Sequence, residues 1–292
     1  MTRRRQRVLV VGASSGIGAA CAHRLAEVGY SVIGTSRRPG ATPSDGHCTA
    51  LSCSINLPMI PMDVDDEGSV GRGVAAVLAG GRLDAVVFSA GYGVAGPVEE
   101  TSDSEARALF ETNFHGAQRV LRAVLPALRA EGGGTVVLIS SIAGRVALPF
   151  QGLYSASKFA LEGMAEALRM EVRRFGVRVV LVEPGDFRTS FTDRRRYASG
   201  MAETSAYREM ANRVLAIAEA DERAAPTPEA VGRCVERILS RRSPRLRYTV
   251  GAPVQRLAAG LKRFLPGALF EFLLRGTYHV DHRTAPSRKE TP

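Results

Sequence analysis

Tyr154-Ser155-Ala156-Ser157-Lys158 places a phenol and an ammonium group four positions apart, which on a helix is one turn and one face. A free phenol ionises near pH 10 and is a poor base at neutral pH, whereas a fixed cation nearby favours the phenolate. Lowering the phenol by about three units takes about 4 kcal/mol of differential stabilisation, which two cations in a partly dry site can supply. An isolated Y-x-x-x-K is more often an exposed helix pair, so its weight depends on its surroundings. Ser141 closes an apolar run, and its hydroxyl can hold a substrate oxygen. Asn113 stands inside a helical pattern, Glu111-Thr112-Asn113-Phe114-His115-Gly116, where asparagine is a mediocre helix former; a local bend or an ordered water is a use for it.

A second group of residues suits phosphate. Val11-Gly12-Ala13-Ser14-Ser15-Gly16-Ile17-Gly18 lies between a short apolar run and a helical pattern, near the N-terminus. Its glycines let backbone approach a pyrophosphate, and the helix start offers unpaired N–H groups and a positive dipole. The spacing is G-x-x-x-G-x-G rather than G-x-G-x-x-G. Where a free adenosine ribose would call for an acid, the segment Gly34-Thr35-Ser36-Arg37-Arg38-Pro39 offers two guanidinium groups. They suit a 2′-phosphate, with Ser15 close enough to help, and so point to NADP(H) over NAD(H). Lys158 would then bind the nicotinamide ribose as well as tune Tyr154, and an oxidised nicotinamide would be the second cation.

These groups need a scaffold that brings loop ends together. Short β-branched runs at Arg7–Val11, Ser31–Ser36, 59–62, 84–89, 135–140, 178–182 and Arg247–Val250 alternate with helical patterns at 18–28, 66–78, 103–131, 154–175 and 228–240. This implies an α/β fold: a doubly wound, Rossmann-type parallel sheet of about seven strands with helices on both faces, plus a C-terminal helical extension. The catalytic domain is expected over 1–252, with an irregular connection at 39–57. Residues 186–226 form a long excursion, expected to hold short helices and to act as a substrate lid. From 253 an amphipathic basic tail follows, split by Pro266, with an end disordered from about 284. Its expected place is on its own domain, covering the cleft and forming with Leu148 and Phe150 an apolar substrate pocket; an anionic membrane surface or a partner subunit are alternatives.

The remaining composition excludes more than it selects. The 292 residues carry a net charge of +10, spread as arginines without any nucleic-acid motif, so no nucleic-acid partner is expected. His47, Cys48 and Cys53 fall near each other, yet the four cysteines lack paired zinc spacing, and free thiols with no metal are expected. The short N-terminal apolar run reads as a strand rather than a signal peptide, and no apolar run could span a bilayer. A cytoplasmic location follows as the default.

With these residues assembled, the chain resembles the short-chain dehydrogenase/reductase family from Val8 to about Val250. Gly12, Gly16 and Gly18 match the family's cofactor turn, and Asp63-Val64 its adenine-contacting segment. Ala90-Gly91 match its strand-four turn, Pro184-Gly185 with Thr189 its nicotinamide-side loop, and Asn113, Ser141, Tyr154 and Lys158 its catalytic tetrad. The resemblance implies an oxidoreductase moving hydride between NADP(H) and an alcohol or ketone, with Tyr154 as general acid/base and Asn113 holding a water that feeds protons to Lys158. Ser140-Ser141-Ile142-Ala143-Gly144-Arg145 and the basic tail look most like the branch acting on steroids, retinoids and other lipophilic alcohols. The family's habit of pairing two long helices implies a homodimer or homotetramer, here through apolar positions such as Val120, Val124, Leu161, Met164 and Leu168. Three departures stand out: Val11 for the usual Thr, Phe88-Ser89 for paired asparagines, and an acid, Asp186, after Pro184-Gly185. A cofactor-binding regulator without turnover is the alternative, one that would have no need of both Tyr154 and Lys158.

Overall fold

The structure, a computed structural model, describes residues 5–38 and 57–280. His47, Cys48, Cys53, the irregular 39–56 connection and the last residues, from 281, lie outside that description. Seven strands form one sheet: β1 Arg7–Val11, β2 Ser31–Ser36, β3 Met59–Pro61, β4 Ala85–Phe88, β6 Gly134–Ile139, β7 Val177–Pro184 and β9 Arg247–Val250. Their order is β3-β2-β1-β4-β6-β7-β9 and every pairing is parallel. Such a sheet is buried on both sides, and β4, β6 and β7 accordingly read as near-continuous Val, Leu and Ile.

One face carries α2 Glu67–Ala79, α4 Gly116–Ala130 and α5 Gly152–Glu171, with Val74, Val120, Leu121, Val124, Leu161 and Leu168 in its core. The other carries α1 Gly16–Glu27 and α7 Glu229–Leu239, with Cys21, Leu25, Val231, Val235 and Ile238. Val120, Val124, Leu161 and Leu168 therefore face the sheet and are buried, so they are not the residues of a subunit interface. What α5 leaves exposed is Phe159 and Met170.

Three local features differ from expectation. The single helix expected over 103–131 is α3 Asp103–Phe110 and α4, joined by a π-helical turn at Glu111–His115 that holds Asn113. The 186–226 excursion contains one long helix, α6 Arg208–Ala224, rather than short ones, because Ala211, Val214, Leu215 and Ala218 give it a continuous buried stripe. Its start adds a two-residue strand, β8 Arg196–Tyr197, which pairs with β5 Val94–Ala95 in a second small sheet. The tail forms α8 Pro253–Leu261 and α9 Gly267–Thr277. Among the described residues, no helix is long and apolar enough to cross a membrane.

Candidate active site

A parallel sheet gathers its loop ends at the carboxyl edge, and there a cleft of about 570 Å³ opens, a size suited to a small ligand. Its wall brings together Gly12, Ser14, Ser15, Gly16, Ile17, Arg37, Asp63, Val64, Ala90, Gly91, Ser141, Leu148, Tyr154, Lys158, Pro184, Gly185 and Thr189. Gly18 works behind the wall: a Cβ there would overlap the Gly12 carbonyl oxygen, and one on Gly12 would sit 2.8 Å from the Ala90 backbone nitrogen. The turn after β1 therefore leaves backbone, not side chains, facing the cleft. Ser36, at the end of β2, adds a buried hydroxyl with no partner in the protein, at the wall where a nucleotide ribose would need one. The turn, the orphan hydroxyl and Arg37 fit a dinucleotide.

Besides Gly18, three expected residues lie off the cleft wall: Arg38, Phe150 and Asn113, which is fully buried behind it. Arg38 is exposed at the end of β2 but does not line the cleft, since successive side chains of extended backbone diverge. Phe150 does not line it either. Its backbone occupies the left-handed region (φ 57°) and its carbonyl accepts a hydrogen bond from Gly96 N at 2.8 Å, which ties it to the segment after β5.

The proton-handling group is assembled by three elements. β6 ends at Ser140-Ser141, the Gly152 helix delivers Tyr154 and Lys158, and the π turn delivers Asn113. In the protein alone, burial pushes Tyr154 up to about 12, the Ser141 hydroxyl pulls down, and the carboxylates of Glu222 and Asp186 push up again. Lys158 Nζ lies over the Tyr154 ring, 5.9 Å from its centroid, and donates to the Ile139 carbonyl at 3.2 Å. Burial lowers Lys158 to about 8, partly opposed by Glu162 one turn further along α5. The site thus holds Tyr154 as a neutral acid at neutral pH.

Asn113 is fully buried and clamps this assembly. Its Oδ1 accepts from Tyr92 N and its Nδ2 donates to Tyr92 O, both at 3.0 Å. The same Nδ2 donates to Ser157 Oγ at 3.1 Å, and Ser157 Oγ donates to the Tyr154 carbonyl at 2.7 Å. The π turn supplies the extra residue that turns this side chain inward.

Residues 6–199 match the family model described as short chain dehydrogenase. A 3-ketodihydrosphingosine reductase of Bacteroides thetaiotaomicron is 37% identical over 94% of this chain and 98% of its own. Human retinol dehydrogenase 8 is 36% identical over 67% of this chain and 63% of its own. A solved short-chain dehydrogenase from Streptomyces avermitilis superposes with a TM-score of 0.73 at 32% identity, covering 94% of this chain and 99% of that one. The chain belongs to the short-chain dehydrogenase family. It is accordingly an oxidoreductase.

Two of the short-chain dehydrogenase departures have visible consequences. With Val11 in place of a threonine, the strand-four turn is braced by backbone, Ser89 N donating to Val11 O at 2.9 Å, and by Asn113. Asp186 sits in the cleft wall with its carboxyl raised to about 6, because burial and the neighbouring Glu222 and Asp221 disfavour its charge. Its side chain accepts from Gln255 of α8.

Several cleft residues were not singled out by sequence reasoning. Arg194 donates to Ser15 Oγ at 2.9 Å and to Ser190 Oγ at 2.6 Å, so the excursion reaches across to the phosphate-type turn. Arg196 lies over the Tyr92 ring at 4.4 Å, and Phe191 packs 5.5 Å from the Tyr154 ring. Glu222 of α6 lines the cleft while pairing with buried Arg195. The arginine run at 194–196 was the available signal.

Proposed function

We propose that this oxidoreductase uses NADP(H) to reduce a lipophilic ketone. The observation that carries this is the cleft itself: the buried Tyr154 phenol, Ser141 and Lys158 line the same cavity as the glycine turn and Arg37. When bound, the nicotinamide supplies the hydride. Gly12, Ser14, Ser15 and Gly16 would hold the pyrophosphate, with Arg37 and Arg194 at the cleft wall for a 2′-phosphate, and Lys158 would face the nicotinamide ribose. Ser141 orients the substrate oxygen, Tyr154 Oη delivers its proton to that oxygen, and Lys158, cationic below about pH 8, favours the phenolate left behind. Leu148 and Phe191 give the substrate end apolar surface.

The negative charge at that end narrows the substrate class. Asp186 in the cleft wall disfavours an anionic substrate near Tyr154 and suits one carrying an amine, as a 2-amino ketone on a long chain does. The test is NADPH oxidation with a panel of long-chain ketones, with and without an amino group, repeated with NADH and with Tyr154→Phe. The wild type should turn over, prefer NADPH, and lose on the order of 100-fold or more in kcat in the variant. Equal efficiency with both nucleotides would remove the cofactor reading, and near-unchanged turnover by Tyr154→Phe would remove the mechanism.

A further inference from the structure

We propose that the outer face of α8 and α9, together with the arginines that lead into it, docks on an anionic phospholipid surface. Twelve large hydrophobic side chains are exposed among the described residues, and seven of them fall between Val254 and Leu273. They are not scattered over these helices. Val254, Leu257 and Leu261 recur at helical spacing along one side of α8 and Phe264 continues that side, while Leu269, Phe272 and Leu273 share a side of α9. Phe264 is 72% exposed and Phe272 69%, values that an aromatic side chain meant for the interior of its own domain does not show.

The opposite sides are already used. Gln255 bonds to Asp186, Lys262 Nζ donates to the Arg145 carbonyl at 2.7 Å and lies over the Phe159 ring, and Ala259 and Phe270 are buried. No tail residue lines the reaction cleft. The segment is thus anchored by a narrow inner stripe and presents its apolar side outward, so the expected role as pocket wall does not account for that side.

Charge selects the occupant. From Arg241 to Val280 the chain carries eight basic residues against a single carboxylate, Glu271; of these Arg247 is held by Glu162, Glu166 and Glu183 and Arg275 pairs with Glu271, leaving Arg241, Arg242, Arg245, Arg256, Lys262 and Arg263 as the basic border. Arg241, Arg245 and Arg256 line one groove beside α8 and are exposed, and none of them forms an ion pair among the described residues. An apolar helix face bordered by unpaired guanidinium groups matches a membrane surface, where acyl chains accept the Leu and Phe side chains and lipid phosphates meet the arginines. A protein partner would have to be both apolar and strongly acidic to match as well. Gln255, on the inner side, ties α8 to the cleft wall at Asp186. The proposal does not depend on which ketone is reduced.

The experiment is co-sedimentation of the full chain with vesicles of phosphatidylcholine alone and of phosphatidylcholine with phosphatidylglycerol, across a range of salt. Light scattering without vesicles and thermal unfolding accompany it. The expected result is binding to the anionic vesicles, weak recovery with the neutral ones, and loss of binding as salt rises. Leu257→Glu/Phe264→Glu/Phe272→Glu and, separately, Arg241→Glu/Arg245→Glu/Arg256→Glu should each weaken binding on the order of 100-fold at an unchanged unfolding midpoint. Should the first variant unfold early, the arginine variant, whose exposed side chains leave the core intact, decides alone. No binding, equal binding to neutral vesicles, or retention of binding by the arginine variant would overturn the proposal. So would a wild-type oligomer that the first variant converts to monomer, since the face would then be an interface between copies.

Discussion

Tyr154 and Asp186 show how burial, rather than residue type, sets the chemistry of this cleft. Without the nicotinamide charge that was expected to join Lys158 in favouring phenolate, the phenol is pushed up to about 12, first by burial, with the charges of Glu222 and Asp186 adding to it. Asp186 is itself raised to about 6 from an ordinary value near 4. A carboxyl raised on folding stabilises the folded state fully below its unfolded value, and that contribution is lost as pH rises through its folded value. Asp186→Asn should therefore raise the thermal midpoint at pH 7 relative to wild type and leave it nearly unchanged at pH 4, the crossover falling between about 4 and 6. The same substitution removes a charge that pushes Tyr154 up, so the alkaline limb of the reduction rate should move to lower pH. An unshifted pH–rate profile would mean that Asp186 does not act on the phenol. The effect is electrostatic and reads out even if the residue never touches substrate.

At the level of elements, the sheet and its helices were readable because their patterns are long and unambiguous. The Val-rich runs of β4, β6 and β7 can be buried strands and little else, and the glycine turn had a strand before it and a helix after. The cofactor turn, Ser141, Tyr154 and Lys158 do meet in one cleft. What escaped were features made by tertiary contact. The two-residue strands β5 and β8 are too short to carry a period, and Arg194 looks like any surface arginine until the excursion folds back to Ser15. Phe150 failed as a substrate contact because neighbouring positions in a turn, unlike a helix, share no face. The π turn was half visible, since Asn113 signalled a bend but not the clamp it makes. Asn113→Ala would leave the Tyr92 N–H and C=O without their partners, a loss of about 1–3 kcal/mol in denaturant unfolding. It should also loosen the Tyr154 turn through Ser157, lowering kcat more than nucleotide affinity. Restoration of stability by Asn113→Asp, which keeps the acceptor for Tyr92 N, would be partial.

Across the whole molecule, a buried charge network joins the site to the far edge of the sheet. Glu183 on β7 is fully buried and meets Arg145 at 3.2 Å, Arg247 at 3.1 Å and the Thr249 hydroxyl at 2.8 Å; Arg247 also holds Glu162 at 2.9 Å and pairs with Glu166. Glu162 in turn acts on Lys158. Arg247→Met strands buried Glu162, while Glu183 keeps Arg145 and Thr249, and should cost on the order of 3 kcal/mol in unfolding experiments, with Lys158 perturbed as Glu162 loses its partner. A subunit interface through α4 and α5 would have to use Phe159 and Met170 with half-buried Met164, since Val120, Val124, Leu161 and Leu168 are in the core. Light scattering is expected to give at least twice the monomer mass, reduced to monomer by Met170→Glu; a wild-type monomer would reject that interface. Finally, the excursion after β7 leaves and re-enters the domain at one point, where Arg188 N donates to the Pro226 carbonyl at 3.0 Å. A segment whose ends already touch adds little closure entropy when it is lengthened, shortened or replaced. The contiguous stretch 188–226 can therefore be exchanged to alter the substrate side without moving Ser141, Tyr154 or Lys158, provided Thr189 and Arg194, which face the glycine turn, are kept.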